Sequence, residues 1–199
     1  MMLIERTAVP AAALPLARFK EHLRLGTGFS DDGTEDVLLE ALLRAAMAAI
    51  EGRTGKALIS REFTWVLGDW RGLDGQVLPV APVAAVMEVR IVDRAEGVAV
   101  VAPTAYRIEP DTHRPSLAGN GTLLPTIPTG GRVEIDFEAG FGAAWEAVPP
   151  DLAQAVFLLA AHYHENRQET VLGQGAMPFG VSALIERWRP LRLTAGGSL

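Results

Sequence analysis

The chain contains no cysteine. Disulfides and thiolate metal centres are therefore excluded, and the composition suits folding in a reducing cytosol. No apolar run reaches the roughly 18 residues that a membrane-spanning helix needs. The opening MMLIERTAVPAAALP holds Glu5, Arg6 and two prolines, and does not read as a secretory signal. A soluble protein made in the cytoplasm is expected. Positive charge is in deficit: 18 Lys and Arg against 24 Asp and Glu leave a net charge of −6. Such a chain repels phosphate, which argues against gripping nucleic acid. Its best local basic patch is Arg187, Arg189 and Arg192.

What is present is apolar. Hydrophobic residues make up 49% of the 199 positions and charged residues 21%. That is enough for a core, and it leans apolar for a monomer, so some surface is expected to be buried against partners.

Helical spacing of Leu16, Phe19 and Leu23 predicts a short helix over 16–24. A longer helix is expected over 35–53, with Thr34 or Asp32 as N-cap and Gly52 and Gly55 near its end. Leu38, Leu42, Ala45 and Ala49 form one stripe on it, and Leu39, Leu43, Ala46 and Ile50 its neighbour. Together they predict a face buried on more than one side or shared with another subunit. Between 60 and 138 the period shortens. REFTWVLGDW alternates, with Phe63, Trp65 and Leu67 on one side; LPVAPVAAVMEVRIVD opens with two prolines and then reads as a strand rich in Val and Ile, and GVAVVAP, AYRIEP and GGRVEIDFEAG read as further short strands. Helix returns over 150–168, where Ala155–Ala161 is apolar all round, the mark of an enclosed helix. A last short helix is expected over 181–189, stopped by Pro190. The expected fold is α+β: a small helical bundle built by 1–59 and 139–199, with a mostly antiparallel β region inserted over 60–138. Leu38, Leu42, Leu43, Val156 and Leu159 are its expected contacts within the bundle or with another subunit.

Catalytic patterns are hard to find. His162, Glu165 and Glu169 share a helix face, but His164 points away and no second His follows at i+4. SDDGTED at 30–36 lacks the alternating oxygen frame of a calcium loop. GQGA (173–176) and TGGR (129–132) lack the residues that cradle phosphate, and no serine-hydrolase elbow occurs. No catalytic residue, metal or cofactor is expected. Trp188, set among arginines in ERWRPLRL, either packs back on the bundle or serves as an interface hot spot.

Several phrases occur in a definite order: FKEHLRL (19–25), AAIEGRTGKALISREFTWVL (48–67), LPVAPVAAVMEVRIVD, YRIEP (106–110), VEIDFEAGFG, AVPPDLAQAVFLLAAHYHENRQ (147–168) and MPFGVSALIERWRP (177–190). Over about residues 15–190 this succession resembles the head–tail connector (adaptor) family of long-tailed phages, prophages and gene transfer agents. The resemblance implies a structural, non-enzymatic subunit of a ring, usually twelve-fold, that binds the portal protein. Such a ring extends the DNA channel, without specific DNA binding, and offers a stopper or tail-completion protein a docking surface. The C-terminal segment Arg187, Trp188, Arg189, Leu191, Arg192 and Leu193 is the expected arm toward portal or neighbouring subunit. The rivals are another neck or tail-completion protein, and a small α+β enzyme or ligand-binding domain.

Overall fold

The computed structural model describes residues 1–23, 34–72, 74–121, 123–166 and 177–190. Residues 30–33 of SDDGTED, the GQGA stretch (173–176) and the segment from Leu191 onward lie outside them.

Strands form where the sequence alternates, as in REFTWVL, and where it is rich in β-branched residues, as in VAAVMEVRIV. β1 (Met2–Glu5), β2 (Arg61–Leu67), β4 (Val83–Val92), β5 (Val98–Val100) and β8 (Arg132–Ala139) make a five-stranded sheet in the order β1-β2-β8-β4-β5. Every neighbouring pair is antiparallel. β3 (Gly75–Val77), β6 (Tyr106–Glu109) and β7 (Ser116–Gly119) form a second sheet in the order β3-β7-β6. The register places Phe63 opposite Phe137 and Trp65 opposite Ile135. Because side chains alternate along a strand, this whole set shares one face. With Leu67, Val133, Leu78, Leu117 and Leu124 it forms a buried β core.

The helices are α1 (Leu16–His22), α2 (Thr34–Thr54), α3 (Pro150–Glu165) and α4 (Phe179–Ile185). α2 packs on α3, α3 on α4 and α1 on α2. Phe19, Leu39, Leu43, Ile50, Leu152, Val156, Leu159, Val181 and Ile185 form a second, helical core. The architecture is thus α+β, as expected from the sequence. The sheet takes its β1 edge from outside the 60–138 stretch.

Two local expectations change. The last helix begins at Phe179, then tightens into a 3-10 turn over Glu186–Trp188. Arg189 is already extended, with φ −72° and ψ 136°, because the ring of Pro190 disfavours helical backbone before it. α3 is not enclosed: Phe157, Leu158 and Ala161 are only half-buried. The bundle offers α2 and α4 as its principal neighbours, so part of its circumference stays open.

The two cores meet where β8 ends. Gly140 has φ 145°, and a Cβ there would lie 2.4 Å from the Ser60 nitrogen. Only glycine fits this crossing, which sets the β region against the bundle.

Candidate functional site

Surfaces rather than a cleft are the notable features. α2 illustrates why. Its stripe of Leu39, Leu43, Ala46 and Ile50 is buried against α3 and α1. On its outward side Val37, Leu38, Ala41, Ala45 and Ala48 are exposed and Leu42 is half-buried, with Val37 73% exposed. The two apolar stripes read from the sequence therefore separate, one inside the bundle and one on the surface. Leu43, Val156 and Leu159 lie in the helical core, whereas Leu38 does not.

The expected C-terminal arm begins from a fixed root. Trp188 Nε1 donates to Asp151 Oδ2 at 2.7 Å, and Arg187 Nε pairs with the same oxygen at 2.7 Å. The Arg187 guanidinium lies 4.8 Å from the Trp188 ring centroid, and Phe141 meets that ring edge-on at 5.5 Å. Asp151 sits in the first turn of α3, where the helix dipole favours a carboxylate. Trp188 thus packs back on the bundle, half-exposed. Arg189 points outward and pairs with Glu186 at 3.0 Å. Leu191, Arg192 and Leu193 lie outside the described residues.

The face of the five-stranded sheet opposite its core is acidic. Glu62, Glu88, Glu134, Asp136 and Glu138 occupy the alternate positions of β2, β4 and β8. Arg90 binds Asp136 at 2.7 Å and Glu134 at 3.3 Å, and Arg132 binds Glu134 at 2.8 Å. The Thr64 hydroxyl donates to Asp136. The hydrogen bond to Glu88, together with Asp136 and Glu134, holds the Arg90 guanidinium well above its ordinary value. The five carboxylates outnumber these two cations, so the face keeps a negative potential.

Two polar groups that the sequence did not single out are buried between bundle and sheets. Arg61 at the start of β2 pairs with Glu51 of α2 at 2.7 Å and with Glu5 of β1 at 3.1 Å. Glu51 also accepts the Leu58 backbone N–H at 2.7 Å. Lys56 is only 1% exposed, with its Nζ 3.4 Å from His113 Nδ1. Burial holds its ammonium below the ordinary lysine value, partly opposed by Asp111. The phrase EGRTGKALISRE contains Glu51, Lys56 and Arg61, but charge at a chain reversal ordinarily reads as exposed. A buried lysine beside a histidine can mark catalysis. Here the nearby groove is lined by Pro82, Val83, Pro110, Asp111, Thr112 and Pro115 and does not reach the amine.

His162, in the last turn of α3, is hydrogen-bonded at its ring to Asn166, at 2.9 Å. Among the described residues no group of three or more His, Asp or Glu is placed to hold a metal ion. TGGR is the turn into β8, where Gly130 adopts φ 75°. GQGA and Glu169 lie outside the described residues. Among those residues no helix is long and apolar enough to cross a membrane.

No family model matches the sequence, and no curated protein matches it. Solved structures do. A chain in the neck of an empty gene transfer agent (GTA) particle, computed with C6 symmetry, is 61% identical. The match covers 98% of this chain and 99% of that one, with a TM-score of 0.89. A chain in the virion of a native GTA particle is also 61% identical over the same shares, with a TM-score of 0.87. A third, in the neck of a native GTA particle computed with C12 symmetry, is 56% identical, again over 98% and 99%, with a TM-score of 0.84. At that identity along nearly its full length, this chain belongs to the head–tail connector family represented in the necks of gene transfer agent particles.

Proposed function

We propose that the chain is the adaptor subunit of a particle neck: a non-enzymatic ring component that binds the portal, joins the DNA-filled head to the tail and extends the DNA channel. The observation that carries this reading is the 61% identity, over 98% of the chain, to a GTA neck chain. Neck structures computed with C6 and C12 symmetry support a ring, because rotational symmetry needs copies arranged around one axis. The acidic sheet face fits a protein near DNA in transit, since attraction to phosphate would slow the DNA. The C-terminal arm, from Arg187, Trp188 and Arg189 on to Leu191, Arg192 and Leu193, would engage portal or neighbour from its anchored root on Asp151.

A stopper or other tail-completion role is the rival, and it differs in what the protein touches. Electron microscopy of particles from a strain lacking the gene tests the reading. DNA-filled or leaking heads without tails are expected, with joining restored by purified protein. Normal tailed particles would overturn the neck assignment. Restored joining with the protein cross-linked to the tail side, and never to the portal, would favour the stopper.

A further inference from the structure

Both ends of the five-stranded sheet are open. β1 and β5 are its terminal strands, and among the described residues nothing pairs with their outer sides. Natural edge strands are usually blunted by lysine, proline or a covering element, because a bare edge templates pairing with another chain. These two are not. β5 reads VAV and is exposed at all three residues, with Val98 60% and Val100 61% exposed. Met87, on the neighbouring β4, is exposed as well. β1 reads MLIE, with Met2 and Leu3 exposed.

The backbone at each edge is available too. Asp93 N–H donates to Gly97 and Val101 N–H to Val89, bracketing the β4–β5 ladder. Antiparallel ladders alternate bonded and non-bonded pairs, so Val98 and Val100 turn their N–H and C=O away from β4. At the other edge Arg6 N–H donates to Glu62, which places the outward backbone groups on Leu3 and Glu5. Four antiparallel steps separate β1 from β5, so the two strands run in the same direction.

We infer that β5 of one copy pairs in parallel with β1 of the next, making the sheet continuous around the ring. The inference rests on the ring reading above and names its contact. A rotationally symmetric ring needs two different patches on each copy that match each other. Opposite edges of one sheet supply such a pair, and a strand added to an edge gains main-chain hydrogen bonds plus side-chain contacts. Because rotation keeps the strand direction from copy to copy, their common direction makes the pairing parallel.

Because the chain has no native cysteine, introduced thiols report contacts without background. Leu3→Cys combined with Val98→Cys, and separately with Val100→Cys, would be produced in full-length chains and assembled into particles. All three positions are exposed, so the fold should tolerate them. Treatment with a short bismaleimide should give a ladder of copy-to-copy products from at least one double variant and none from any single variant. Cross-linking by a single variant, which signals like edges meeting, would overturn the pairing. So would products joining either edge to a different protein. Tailed particles that contain both double variants yet give no ladder would overturn the pairing while leaving the neck reading intact. Particles that never contain the chain would overturn both.

Discussion

Lys56 shows how one residue can be buried against its own charge. Its ammonium is taken out of water, with Asp111 and half-buried His113 as the nearby polar groups. Its folded pKa lies below the ordinary lysine value, so the unfolded chain binds more protons between the two values. Stability therefore rises with pH through that window. Below the lowered value both states are charged and the burial cost is fully borne. Lys56→Met keeps most of the apolar stem and removes that cost. It should raise stability at neutral pH by about 1 kcal/mol, roughly 2–4 °C in Tm, and flatten the alkaline rise. Thermal melts at a series of pH values check this, and a lowered Tm at neutral pH would mean that the contacts with Asp111 and His113 outweigh desolvation. Arg61 is the opposite case, since its guanidinium meets two carboxylates. Arg61→Ala leaves Glu51 buried without its cation and should cost about 3 kcal/mol. Denaturant unfolding would show it, and a loss under about 0.5 kcal/mol, the surface value, would mean water replaces the pair.

At the scale of elements, α2 carries two apolar stripes of different fate. Leu43 is fully buried, so Leu43→Ala should cost about 3 kcal/mol through lost transfer energy and the cavity left. Leu38→Ala, on the outward stripe, should change monomer stability by no more than about 0.5 kcal/mol. Chemical denaturation of both variants separates the stripes, and equal losses would show that Leu38 is buried in solution. The sequence carried the heptad-like rows but could not say which row faces α3, because both have helical spacing. The same limit explains α3. Seven apolar residues in a row signal burial, yet how many neighbours surround a helix depends on distant packing, and here Phe157 and Leu158 stay half-exposed. β2 and β8 were legible because alternation persists over seven or more residues, and β4 because it is rich in Val and Ile, although register shifts at Val83/Ala85 and Val86/Glu88 break its alternation. β3 and β7 were not, since three or four residues with glycine or serine carry no period. At the surfaces, the Trp188 region could be singled out by its arginines. Its hydrogen bond to Asp151 joins residues 37 apart and has no local signature.

For the molecule as a whole, the anchored root of the C-terminal segment decides how an arm could work. Trp188 and Arg187 share one Asp151 oxygen on α3, and extended Arg189 then leads the chain away from the bundle. A partner gripping residues beyond Pro190 would therefore pull on α3 rather than on a loose end. Removing everything after Pro190 keeps every described residue of both buried cores and of this root, and the melting temperature is expected to stay unchanged within about 2 °C. Incorporation into particles should nevertheless be lost, because the proposed contact with portal or neighbour goes with Leu191, Arg192 and Leu193. Trp188→Ala acts differently: it strips the ring from Phe141 and the donor from Asp151, lowering stability by about 2 kcal/mol while the arm itself remains. Comparing the two variants by thermal melt and by particle incorporation separates anchoring from binding. A truncated chain that joins particles normally would remove the arm from the mechanism and shift the portal contact onto the folded surfaces, the outward stripe of α2 first among them.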